Sequence, residues 1–100
     1  MDLHKQDEDK LKLTLIEPEF IEEFTKVLMF GAAKYSENSW KYIFDAKERT
    51  LNSILRHLLE IRKGNEIDKE SGHLHIAHAA TQAMIYFYHL KREQENELRS

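Results

Sequence analysis

From Pro18 onward the apolar residues of this 100-residue chain recur at helical spacing. Phe20, Phe24, Val27, Leu28, Gly31 and Tyr35 step by four, three, one, three and four, which is one stripe of a helix. Pro18 suits a first helical turn and Glu17 and Glu19 favour its positive end, so the first helix is expected to begin there. A second is expected from about Ala46 to Lys63, with Leu51, Ile54, Leu55, Leu58 and Ile61 or Arg62 on its inner face. Gly64, following Arg62 and Lys63, ends it. After a short acidic loop, with Ser71 as N-cap, a third and longest helix is expected from about Gly72 into the nineties. Its inner stripe reads as Ile76, Ala79, Ala80, Ala83, Phe87 and Leu90, the alanines allowing a neighbouring helix to come close.

Upstream, Leu11, Leu13 and Leu15 alternate with Lys12 and Thr14, the pattern of a short extended segment. No second strand-like run exists to pair with it, so the expectation is an arm lying across the helices. The chain thus divides into an N-terminal arm, 1–15, and one all-α domain, 16–100: a small bundle of three main helices. Between the first two helices, residues 36–45 lack a clean period but carry Trp40, Tyr42 and Phe44, which cap the core or line a pocket.

Composition narrows the function. With a hydrophobic fraction of 41% against 33% charged, a lone domain of this size has little stability to spare, so a homo-oligomer is expected to complete its burial. Fifteen basic residues against 18 acidic ones leave no basic stripe for a nucleic-acid polymer. No polybasic cluster or long apolar run suggests a membrane, and the start has no apolar core like a signal peptide. The absence of cysteine rules out a disulfide framework and a cysteine nucleophile. A soluble, cytoplasmic protein is the expectation.

The chemistry concentrates at the start of the third helix. At about 100° per residue, His75, His78, Gln82 and His89 form one polar seam beside the alanine stripe, with Tyr86 between seam and core. On the second helix His57 lies at the edge of the apolar stripe, with Glu60 three residues on. If the two helices pack antiparallel, His57 and Glu60 approach His75 and His78, with Asp68 and Glu70 in the loop between. Imidazoles and carboxylates converging from two helices suit a metal site. Histidine pairs at i and i+3 are common in helices, however, and an interhelical hydrogen-bond network is the plainer reading. His73 is expected to point elsewhere and His4 belongs to the arm. Glu19, Glu22 and Glu23 read as solvated charges at a helix start. No phosphate-binding glycine loop or HExxH pattern exists, and Ser36, Ser39, Ser53 and Ser71 lack a nucleophile-elbow context.

Two segments together resemble a known family: Gly31-Ala32-Ala33-Lys34-Tyr35 with Asn38-Ser39-Trp40, then Arg56-His57-Leu58, Gly64, Asp68, Glu70-Ser71-Gly72 and His75-Ile76-Ala77-His78-Ala79. Their order and spacing are similar to the N-terminal domain of the phage-encoded dATP/dGTP diphosphohydrolases, associated with the wider MazG-like nucleotide pyrophosphohydrolases. The resemblance covers about residues 17–92. It implies metal-dependent hydrolysis of purine dNTPs to the monophosphate and pyrophosphate, in a host cytoplasm if the protein is phage-encoded. In that scheme His57, Glu60, Asp68, His75 and His78 hold one or two cations. Lys34, Arg56, Glu60 and Asp68 serve the chemistry; Lys34 and Arg56 bind phosphate, Tyr35 or Trp40 stacks on the base and Asn38 reads its edge. Where the wider family places ExxE and ExxD ligands for Mg²⁺, this chain has His57-x-x-Glu60 and His75-x-x-His78. Mg²⁺ or Mn²⁺ follows from the resemblance, whereas imidazoles suit Mn²⁺, Zn²⁺, Co²⁺ or Ni²⁺ better. A nucleotide-binding module without chemistry, or a purely structural oligomer, stands as the alternative.

Overall fold

The computed structural model describes residues 8–99, so the first seven residues of the proposed arm, His4 included, lie outside the described residues. Three α-helices are present among them: α1, Pro18–Lys34; α2, Ala46–Arg62; and α3, His75–Arg99. Short 3-10 turns occupy Leu13–Leu15 and Ser39–Tyr42. The α3 helix is the axis of the fold. It packs against α2 along much of its length, more sparsely against α1, and touches the Ser39–Tyr42 turn. No strand forms among the described residues; an isolated antiparallel bridge joins Ile67 to Leu74.

The ends of the helices follow local chemistry. Pro18 occupies the first turn of α1, where the Glu17 side chain accepts from the Glu19 amide. At the end of α2, Gly64 adopts φ +94° and donates its N–H to the Ile61 carbonyl, while the Asn65 N–H reaches the Glu60 carbonyl. That pair of bonds is a Schellman motif, and the positive φ is why glycine stands there. Asn38 and Asp45 also take left-handed conformations, which their short polar side chains tolerate.

Four expectations are corrected. The third helix starts at His75, not near Gly72. Ser71 does not cap it, because the loop closes on itself first: Asp68 N–H donates to the His73 carbonyl, Gly72 N–H to the Asp68 carbonyl, and His75 N–H to the Glu66 carbonyl. The leucines of the arm do not lie across the helices; Leu13–Leu15 is a 3-10 turn, and Leu11, Leu13 and Leu15 are exposed. Most consequentially, the inner faces differ from the apolar stripes. On α3 the buried residues are His75, Ala77, His78, Ala79, Thr81 and Ile85, while Ile76, Ala83 and Phe87 face outward. On α2, Ala46 and Thr50 are buried and Leu51, Leu55 and Leu58 are exposed. The polar inner residues are tolerated because they are satisfied: Thr50 Oγ1 donates to the Ala46 carbonyl at 2.7 Å and Thr81 Oγ1 to the Ala77 carbonyl at 2.9 Å. On α1 the stripe holds at Val27, which is buried, but Phe20 and Tyr35 at its ends are exposed.

Candidate functional site

An open cleft of about 1150 Å³ runs between the end of α1, the aromatic connector, α2 and α3. It is large enough for a nucleotide-sized ligand. Its walls bring together Lys34, Tyr35, Asn38, Trp40, Arg56, His57, Asp68 and His78, most of the residues proposed from sequence. The connector therefore lines a pocket: Trp40, Tyr42 and Phe44 all face the cleft, and Trp40 is held edge-on against Tyr88, ring centroids 5.1 Å apart. Lys34 forms an ion pair with Glu70, which raises the lysine above its ordinary pKa. Both side chains are well exposed, so the pair is weak and exchangeable.

Behind the cleft lies a cluster of three imidazoles. His57 of α2 meets His75 of α3 through their Nδ1 atoms at 2.8 Å. The same His57 ring stacks on His78, with centroids 4.7 Å apart and planes 10° from parallel. An Nδ1–Nδ1 contact needs one donor and one acceptor, so a single proton is shared between the two rings. Burial lowers the pKa of His57, and the neighbouring imidazoles of His78 and His75 lower it further. Burial likewise lowers His78, with Asp68 opposing and His73 and His75 reinforcing the shift.

The loop 64–74 fixes the rest. Ser71 Oγ lies 2.8 Å from Asp68 Oδ2, 2.6 Å from His78 Nε2 and 3.2 Å from the His73 amide. The hydroxyl has one proton and two lone pairs. Donation to Asp68 leaves both lone pairs for the His73 N–H and a His78 Nε2–H, which sets the His78 tautomer. The Ser71 amide donates to the same Asp68 oxygen at 3.0 Å. Burial works to raise the Asp68 pKa, but the two Ser71 hydrogen bonds and the nearby imidazoles outweigh it, and the carboxyl is lowered. With its oxygen fully engaged, Ser71 is no nucleophile. It was read from sequence only as a cap, although the Asp-x-x-Ser-Gly spacing is the signal of a side-chain-closed turn.

Other expected members stand elsewhere. Glu60 does not line the cleft; Asn65 Nδ2 donates to its Oε2 at 3.0 Å, and that bond, helped by Lys63, lowers its pKa. His89 leaves the seam, donating from Nε2 to the Trp40 carbonyl at 2.9 Å. His73 sits nearer than expected, edge-on to Phe30 beside the cluster.

As placed, these residues do not fit a resident divalent cation. Two imidazoles on one tetrahedral ion at 2.0–2.1 Å hold their nitrogens roughly 3.3 Å apart, whereas His57 and His75 stand at hydrogen-bonding distance. A ring nitrogen binds an ion in its own plane, and the near-parallel planes of His57 and His78 share no such point. Asp68 is the one cluster carboxylate, too few oxygens for Mg²⁺. Among the described residues no group of three or more His, Asp or Glu side chains is arranged to hold a metal.

Fold and site together define a small all-helical domain with an aromatic-walled cleft that carries both cations and carboxylates and is lined in part by clustered imidazoles. A family described as dATP/dGTP diphosphohydrolase, N-terminal, matches residues 2–99, and the chain belongs to it. It is 39% identical over 93 residues, 93% of its length, to a dATP/dGTP diphosphohydrolase of Salmonella phage PMBT28. The chain spans 31% of that relative. No solved structure matches. No helix among the described residues is long and apolar enough to cross a membrane.

Proposed function

We propose that this domain binds a purine deoxynucleoside triphosphate in the cleft and hydrolyses it to the monophosphate and pyrophosphate. The observation that carries this reading is the cleft itself, where Lys34 and Arg56, an aromatic wall and a histidine of lowered pKa share one surface in a chain of this family. Lys34 and Arg56 bind the phosphates, the triphosphate displacing Glu70 from Lys34. Trp40 or Tyr35 carries the base, and Asn38 stands where its edge is read.

His57 is the general base. When its Nδ1–H donates to His75, its Nε2 is left as the free lone pair. It takes a proton from water as the water oxygen bonds to phosphorus and the bond to the departing pyrophosphate oxygen breaks. His75 orients the ring, and Lys34 and Arg56 offset the charge that gathers on the phosphate oxygens. The divalent cation expected from the family supplies charge neutralisation of the triphosphate, and it enters as part of the substrate.

The test is pyrophosphate release from dGTP and dATP. His57→Asn is expected to lower turnover by roughly a hundredfold or more while binding persists. A second reading, binding without chemistry, is favoured by the shortage of open carboxylates among the described residues. Tight nucleotide binding with no pyrophosphate selects that reading. Neither binding nor turnover overturns both.

A further inference from the structure

Along the polar seam of α3, His75 and His78 are engaged in the imidazole cluster and His89 holds the Trp40 carbonyl. Gln82 is the member left over. It lines the cleft and is half-buried, and its amide forms no hydrogen bond with any of the described residues. No buried side-chain nitrogen or oxygen among those residues lacks a partner, so this amide is open to the cleft rather than sealed behind it. It offers two N–H donors and a carbonyl acceptor. Asn38 and Asn52, the other amides of the cleft, are exposed, where water competes for their hydrogen bonds.

The position of Gln82 suits a base. At 1.5 Å per residue it stands about 6 Å along α3 from His78 and about 10 Å short of His89. The imidazoles lie at one end of that interval, and the turn bearing Trp40 lies at the other. Buried Ile85 and half-buried Met84 line the same stretch of the cleft. A ring stacked on Trp40, with its phosphates at Lys34 and Arg56, meets α3 at the level of Gln82.

We propose that Gln82 is a specificity-determining residue that reads positions 1 and 6 of the purine and admits both guanine and adenine by turning its amide over. The proposal rests on the binding of a purine dNTP in this cleft. To guanine, the Gln82 NH₂ donates to O6 and its carbonyl accepts from N1–H. With the amide reversed, the carbonyl accepts from the adenine 6-amino group and the NH₂ donates to N1. The last torsion of a glutamine is broad and roughly two-fold, so the reversal costs little.

Dissociation constants of dGTP and dATP, measured by calorimetry on the 100-residue chain, test it. The unmodified protein is expected to bind the two with comparable affinity. Gln82→Glu keeps the shape and leaves only acceptors, ionised at about pH 8. With a small sideways shift guanine donates N1–H and its 2-amino group to the two oxygens, whereas adenine has no such pair, since its N1 only accepts. The ratio of the dATP to the dGTP dissociation constant is expected to rise roughly tenfold or more. An altered field at His78, one turn away, acts on the shared triphosphate and cancels in that ratio. Gln82→Leu removes both hydrogen bonds and is expected to weaken the two nucleotides alike, by roughly tenfold. If both nucleotides bind and Gln82→Glu leaves the ratio unmoved, this inference alone is overturned. The same holds if Asn38→Asp moves the ratio in its place, or if the unmodified chain prefers one purine by about a hundredfold, which a reversible amide cannot impose. Failure of the unmodified chain to bind either nucleotide overturns the dNTP reading together with this one.

Discussion

The Ser71 hydroxyl serves three partners at once: it donates to Asp68 and accepts from His78 and the His73 amide. Ser71→Ala is therefore expected to cost about 1–3 kcal/mol in urea unfolding, since it strands a half-buried carboxylate and an imidazole N–H. The imidazoles set a second expectation. His57 and His78 have folded pKa values below the ordinary 6.5, so between those values and 6.5 the unfolded chain binds more protons than the native one. Stability then rises with pH through that window and levels off above it; the melting temperature should fall as pH drops below about 6.5. Asp68, lowered in the fold, adds a further loss only near and below its ordinary value of 3.8. A melting curve flat from pH 5 to 8 would contradict this account. At the cleft, Lys34→Ala is expected to weaken nucleotide binding roughly ten- to hundredfold, the usual worth of a charge-assisted hydrogen bond, with the effect shrinking at high salt.

At the level of elements, two glycines make opposite predictions. Gly64 holds φ +94° with open space around its missing Cβ, so Gly64→Ala is penalised by backbone conformation alone, about 1 kcal/mol or more. Gly31 lies inside α1 with equally open space, and Gly31→Ala should stabilise by about 0.5–1 kcal/mol through helix propensity. Chemical denaturation of both variants checks the pair. These same residues show what the sequence made legible. Pro18 and Gly64 marked helix ends because their constraints are local, and the His57/His75/His78 convergence followed from helical period plus an antiparallel turn. The burial of the helices was misread because periodicity reveals an apolar stripe without saying what covers it. Leu55 and Phe87 belong to the apolar stripes and face outward; Thr50 and Thr81 lie off those stripes and are buried, their hydroxyls satisfied by their own helices. The Ser71 network was invisible for a different reason, since it depends on a loop whose path only the folded chain defines.

For the whole molecule, α3 is a partition. One side holds the imidazoles and the cleft, and the other holds an apolar ridge. Substitutions on the ridge and in the cleft are therefore expected to be independent. Leu55→Glu should leave nucleotide affinity intact, while Lys34→Ala should weaken it, with free energies that add to within about 0.5 kcal/mol in the double variant.

The 2.8 Å contact between His57 and His75 has one more implication. A proton taken up at the Nε2 edge of His57 need not stay there, because the proton already lying between the rings can slide across to His75. A short hop of one nucleus then carries the positive charge from the cleft wall to the neighbouring ring on α3. The two rings are thus a relay of one step. The pair can accept a proton at one edge, pass its charge between two rings, and never place two charged rings side by side.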